Sequence, residues 1–220
     1  MTSTRPILCI LAGGRSRRFG APKIDIRIDD QPLPVWLASR LRAALHGPCW
    51  LSVAPGTHIA AFGGGFDRKI VDAAPHRGPL VAIETVLRAA AGRDVAFVAA
   101  DMPLVAPAML SAMSRVLDQR PSTSIVMARW QGGPGAGRVE PFPSMWRSTD
   151  ALRIMRDASR AGVNSPSALS QHRATHLLPL GTRDDHRAYL NVNRPADAQA
   201  LQRIIAPMTV TAPPTTPGSA

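Results

Sequence analysis

The sequence predicts an α/β protein built on a mostly parallel β-sheet with helices on both faces, and three observations carry that expectation. Four short apolar runs, Ile7–Leu11, Trp50–Val53, Val95–Ala100 and Ser124–Ala128, lack the polar alternation of a solvent-facing strand. A strand covered on both sides has this character. Segments whose apolar residues recur at helical spacing lie between the runs, and strands alternating with helices point to a parallel sheet. The 220 residues, 45% of them hydrophobic, are enough for one well-buried domain and short for two.

In chain order, Ile7–Leu11 is the first strand and stops at Gly13 and Gly14. Leu37, Leu41 and Leu45 space a helix before the second run, and the short apolar pair Ile70 and Val71 precedes another marked by Leu80, Ile83 and Leu87. After the third run, Met109, Met113 and Val116 space a helix that Pro107 opens at a first helical position, where a missing N–H costs nothing. Beyond the fourth run, "WQGGPGAGRVEPFPSMW" predicts a loop and then an edge or irregular strand, because proline cannot donate to a ladder. Leu152, Met155 and Ala158 space a helix that Ser148, Thr149 or Asp150 would cap and Gly162 would end. A last helix starts at Pro195 with Ala198, Leu201 and Ile205 on one face. Residues 1–206 are expected to form a single domain and residues 207–220, without a core-forming pattern, a disordered tail.

Composition removes several functions. No stretch approaches the roughly 20 apolar residues of a membrane span, and "MTSTRP" leads into a short strand without a signal-peptide core, so a cytoplasmic protein with no membrane role is expected. Cys9 and Cys49 each sit in an apolar run with no nearby second cysteine, which predicts buried reduced thiols. The net charge of +11 is almost wholly arginine, since the only lysines are Lys23 and Lys69. Nucleic-acid binders concentrate charge and interleave aromatics for stacking, whereas here the arginines are scattered and aromatics reach only 5%. A diffusely basic surface that draws anionic small molecules is the better expectation. The six histidines share no spacing and none is assigned to catalysis.

The chemistry concentrates in "LAGGRSRRFGAPK". It fits neither the Walker A spacing nor the G-x-G-x-x-G fingerprint. Gly13 and Gly14, lacking Cβ atoms, still let backbone N–H groups approach an anion, and Arg15, Arg17, Arg18 and Lys23 can neutralise phosphate charge. The plainer alternative is a Gly-Gly turn with solvated arginines. A lone lysine in an arginine-rich chain suggests a need for a compact point charge among phosphate oxygens. Asp101 ends the third run at the same predicted sheet edge, where a carboxylate can hold Mg²⁺ against phosphate or, more simply, cap a turn. Asp72 follows Ile70 and Val71 and is placed at that edge too.

Four segments in order, "LAGGRSRRFGAPK", "GPL" leading a helix, Asp101-Met102-Pro103 after a core strand and "NVNRPAD", resemble the molybdenum cofactor guanylyltransferase family. That family lies within the nucleotidyltransferases sharing L-A-[AG]-G-x-S-x-R-[MF]-G-x-x-K, and the likeness runs from about Ile7 to about Ile205. The resemblance implies a Rossmann-like sheet of the nucleotide-diphospho-sugar transferase type. It implies nucleotide contacts at Leu11, Ala12, Gly13, Gly14, Lys23, Asp72 and Asp101, catalytic roles for Arg18, Lys23 and Asp101, and Mg²⁺ at Asp101 and Asn193, with Asn191 in the same segment. The implied reaction is Mg²⁺-dependent transfer of GMP from GTP to the terminal phosphate of molybdenum-molybdopterin, with molybdoenzymes or their chaperones as further partners. The departures are Phe19 for Met, Pro22 for Asp, Arg194 for Thr, and Pro55 where an asparagine is expected, the last bearing on base choice. Rival expectations are a cytidylyl- or other nucleotidyltransferase with a different phosphate acceptor, and a non-catalytic nucleotide or cofactor carrier. The pterin is expected near Arg138–Trp146, with Arg138 or Arg147 meeting its anionic group.

Overall fold

A computed structural model of the chain describes residues 5–13, 26–28, 30–57, 64–72, 79–192 and 195–205. Its elements are β1 (Ile7–Leu11), β2 (Arg27–Ile28), β3 (Gln31–Pro32), α1 (Leu33–Leu41), β4 (Cys49–Val53), β5 (Arg68–Val71), α2 (Pro79–Ala89), β6 (Val95–Ala99), α3 (Pro107–Gln119), β7 (Ile125–Trp130), β8 (Val139–Trp146), α4 (Ser148–Arg160), β9 (Thr175–Leu180), α5 (Arg183–Ala188) and α6 (Pro195–Ile205). Seven strands form one sheet in the order β5-β4-β1-β6-β8-β7-β9, and β2 and β3 form a separate hairpin. All the ladders of the large sheet are parallel except the two made by β8. The expected α/β class with a mostly parallel sheet is what the chain adopts.

Alternation along β1 explains why its run is apolar throughout. Leu8 and Ile10 face α1 and α3, packing with Leu37, Leu41, Leu110 and Met113. Ile7 and Cys9 face α2 and α4, packing with Ile83, Val86, Leu87 and Met155. Both cysteines are buried free thiols, as expected. From β1 the chain moves outward to β4 and β5, then α2 carries it back to β6 on the other side of β1. The strand order therefore reverses at β1, the place where open α/β sheets bind ligands beyond the strand ends.

Three expectations change. The segment Val139–Trp146 is an interior strand, because Met145 and Trp146 have no exposed surface and face opposite sides, so each needs a cover of its own. Pro141 and Pro143 are tolerated there because no ladder partner falls on residues 141–143, where the register with β7 shifts. On α3 the buried stripe is Leu110, Met113 and Leu117, flanked by the partly buried Met109 and Val116. Helix α4 begins at Ser148 itself with Arg147 in the capping position and no side-chain cap, so none of the three proposed residues caps it, while Gly162 (φ +76°) follows its end as expected. The last helix begins at Pro195 and buries Leu201 and Ile205. The expected tail lies outside the described residues. Among the described residues no helix is long and apolar enough to cross a membrane.

The entry to β4 presses on the entry to β1, with the Leu8 amide donating to the Pro48 carbonyl at 2.9 Å. A Cβ at Gly47 would lie 1.9 Å from the Pro6 carbonyl oxygen, and backbone cannot retreat as a flexible side chain can. Gly47→Ala is therefore expected to cost about 1–3 kcal/mol, the range for overpacking. A lowered urea midpoint with an unchanged slope is the check.

Candidate active site

On the sheet face toward α2, three neighbouring strands run out of apolar residues toward the carboxyl edge. Strand β1 places Cys9, then the partly buried Leu11, then Gly13; β4 places Trp50, then Ser52; β5 places Ile70, then Asp72. Period-two alternation thus sets Gly13, Ser52 and Asp72 on one face of the sheet at its carboxyl edge, with Ser52 level with Leu11 and Ile70 and one step below Gly13 and Asp72. The ladder continues past the strand ends, with the Ala12 amide donating to Ser52 O at 2.8 Å and the Asp72 amide to Val53 O at 2.9 Å. Because the Ala12 N–H is spent in this way, the backbone leaves the ladder no earlier than Gly13.

The three are tightly packed. The Ser52 hydroxyl donates to Asp72 Oδ1 at 2.7 Å. A Cβ on Gly13 would stand 2.8 Å from Asp72 Oδ2 and 3.1 Å from the Ala54 amide nitrogen. Glycine here is a condition of close packing between the loop and the carboxylate. Burial pushes the Asp72 carboxyl above its ordinary value, and the Ser52 hydroxyl partly offsets this by stabilising the anion. Pro55 opens a turn in which the Thr57 amide donates to Ala54 O at 3.2 Å and Gly56 takes φ +80°. It presets that turn in place of offering an amide side chain.

Across β1, the Ala100 amide donates to Leu11 O at 2.9 Å and the Met102 amide to Ala99 O at 3.1 Å, which turns the chain at Asp101. Two long-range bonds fasten this turn. The Val192 amide donates to Asp101 O at 2.8 Å. Arg40 of α1 donates to Pro103 O, with its guanidinium 4.7 Å above the Trp36 ring. Beneath them Trp36, Leu104, Val192, Leu201 and Ile205 share an apolar cluster. The structure thus brings Leu11, Ala12, Gly13, Asp72 and Asp101 to one edge, and Val192 ties the segment bearing the exposed Asn191 to the same turn. Gly14, Arg15, Arg17, Arg18, Phe19, Pro22, Lys23, Asn193 and Arg194 lie outside the described residues.

The pterin expectation divides. Because β8 runs antiparallel to β6, its Val139 end lies at this edge and its Trp146 end at the opposite one. Arg138 is at the right edge, ion-paired with Glu140 at 2.6 Å. Arg147 is at the wrong edge, where it donates to Leu117 O at 2.8 Å and Thr123 O at 3.3 Å near the end of α3. A cation satisfies carbonyls at a helix C-terminus, so the anion-binding expectation for Arg147 fails on its backbone partners.

Sequence reasoning missed an aromatic group at the end of β7. Trp130 donates from Nε1 to Glu140 at 2.8 Å, stacks on His186 with centroids 4.3 Å apart, and meets Tyr189 edge-on at 5.8 Å. The Tyr189 hydroxyl is buried with no hydrogen-bond partner among the described residues, and burial, with Glu140 and Asp185 nearby, pushes its ionisation well up. The group holds α5 to the sheet, with Tyr189 three residues before Val192, which reaches Asp101. An exposed-looking "DDHRAY" gave no apolar period to find it by.

A central strand that stops at Gly13, with carboxylates beyond parallel strands on both sides of a strand-order reversal, defines an α/β protein with its ligand edge at that reversal. The chain belongs to the MobA-like NTP transferase domain family, which it matches over residues 8–208, and is a nucleotidyltransferase. A probable molybdenum cofactor guanylyltransferase of Bacillus licheniformis is 26% identical over 200 residues, 90% of this chain and 97% of its own. One of Chloroflexus aggregans is 28% identical over 199 residues, 88% of this chain and 91% of its own. The solved structure of molybdopterin-guanine dinucleotide biosynthesis protein A from Archaeoglobus fulgidus matches with a TM-score of 0.72 at 16% identity, covering 92% of this chain and 100% of that one. At that identity the likeness speaks for the fold, which is of the nucleotide-diphospho-sugar transferase type.

The raised Asp72 carboxyl has a consequence for the ligand-free protein. A group titrating higher when folded than unfolded contributes stability below its unfolded value, about 3.9 for aspartate, and loses that contribution as pH rises through the folded value. Asp72→Asn stays neutral and can still accept from Ser52. It should unfold at higher urea than the wild type at neutral pH, with the advantage gone below about pH 4. Urea midpoints of the ligand-free proteins at both pH values test this.

Proposed function

We propose that the chain transfers GMP from GTP to the terminal phosphate of molybdenum-molybdopterin, releasing pyrophosphate and forming the guanine dinucleotide cofactor. The observation that carries this is the meeting of Gly13, Asp72 and Asp101 at one sheet edge, in a chain whose relatives bear guanylyltransferase names. An acceptor phosphate oxygen bonds to the α-phosphorus, the α–β anhydride bond breaks, and pyrophosphate departs with the bonding pair. The nucleophile is already ionised at neutral pH, so catalysis rests on alignment and charge stabilisation and requires no strong base.

Gly13 lets backbone approach the nucleotide, with Gly14 beside it in sequence. Asp72, a pure acceptor when ionised, suits donors on the sugar or base, since phosphates offer none and repel it. Arg18 and Lys23 are assigned to charge on the departing pyrophosphate. Asp101 supplies a hard carboxylate oxygen of the kind Mg²⁺ prefers, with Asn193 as a second oxygen donor. Among the described residues no three His, Cys, Asp or Glu side chains form a complete cage. That fits an ion usually held by one or two carboxylates plus substrate phosphates. When bound, Mg²⁺ would offset charge on the phosphate oxygens.

With molybdopterin and Mg²⁺ present, GTP should give most of the pyrophosphate released across a nucleotide panel. Equal release from CTP would remove the guanine assignment, and binding without release would favour a carrier. Asp101→Asn should lower kcat at least about 100-fold, the scale for losing a key transition-state contact, with unchanged melting. Unchanged turnover would defeat the role given to Asp101.

A further inference from the structure

We propose that Ser52 is a positioning residue for nucleotide binding: its buried hydroxyl fixes the orientation of the Asp72 carboxylate. The inference rests on the assignment of Asp72 to the nucleotide made above. Strand β4 is buried at every position, and its other residues are Cys49, Trp50, Leu51 and Val53. Ser52 is the one polar hydroxyl in it and has no exposed surface. A buried hydroxyl is costly unless it finds a partner, so its place here calls for a partner that uses it. That partner is Asp72 Oδ1, at 2.7 Å.

The geometry explains what the bond accomplishes. The terminal torsion of an aspartate is broad and roughly two-fold, so an unrestrained carboxylate turns easily. Ser52 holds one oxygen from β4, while the other lies against Gly13, close enough that a Cβ there would be 2.8 Å away. Held from both sides, the carboxylate presents Oδ2 to the β1 loop, where the nucleotide is assigned. The hydroxyl also favours the ionised form against the burial that opposes it. Removing it leaves a carboxylate that is freer to turn and more readily protonated, and both effects weaken acceptance from a sugar or base donor. Ser52 has no surface from which to touch the nucleotide itself, so its effect passes through Asp72.

A double-mutant cycle on GTP binding in the presence of Mg²⁺ tests this, using Ser52→Ala, Asp72→Ala and the double variant of the full chain. Ser52→Ala should weaken GTP binding about 5- to 10-fold, the size expected for one hydrogen bond, with KM raised and kcat little changed. The double variant should bind no more weakly than Asp72→Ala, because the hydroxyl has nothing left to orient. Unchanged binding in Ser52→Ala, or additive losses in the double variant, would overturn the inference alone. Asp72→Ala binding GTP as the wild type does would overturn the assignment of Asp72 and this inference with it. Ser52→Cys, of similar volume with a weaker donor, gives the same contrast if the alanine variant melts too low, and should fall between wild type and alanine.

Discussion

The site depends on the complete enclosure of β1. Parallel ladders on both edges and helices on both faces leave this strand no solvent contact until its carboxyl end. Its last hydrogen bonds reach beyond the strand proper, from Ala12 to Ser52 on one side and from Ala100 to Leu11 on the other. The neighbouring strand ends are thereby locked to the level of the glycine loop. Once the chain leaves the sheet there, a side chain at Gly13 would have to displace the Asp72 carboxylate and press on the Ala54 backbone. The glycine at position 13 is thus a consequence of where a buried strand must stop.

Much of this was legible because it is local. A continuous apolar run announces a doubly covered strand, and a carboxylate directly after it lands at the carboxyl edge of the sheet, as Asp101 does, while the short pair Ile70 and Val71 was enough to place Asp72 there. What was not legible depends on partners far away in sequence. The prolines near Phe142 argued for an edge, but the ladder shift lets them sit inside, and only the two faces of Met145 and Trp146 reveal the strand's place. Arg147 looked like an anion binder until the end of α3 supplied its carbonyl partners. Ser52 was invisible, because a single serine in an apolar run gains meaning only from the strand placed beside it.

The two ends of the site are held by different kinds of structure. Gly13, Ser52 and Asp72 lie on or directly after three adjacent strands, β1, β4 and the edge strand β5, so their mutual positions are set by backbone ladders. The Asp101 turn leans on a smaller apolar cluster that joins α1, α6 and Val192, together with the single bonds from Val192 and Arg40. Satellite clusters open at lower free energy than core strands, since fewer buried contacts must be broken. Fluctuation of α6 therefore loosens the carboxylate end of the site before it disturbs the Asp72 end. The Asp72 end is the more firmly held of the two, and the Asp101 turn keeps its place through the C-terminal segment. A substitution at Leu201 or Ile205, remote from any ligand, is thereby linked to Asp101 through Val192.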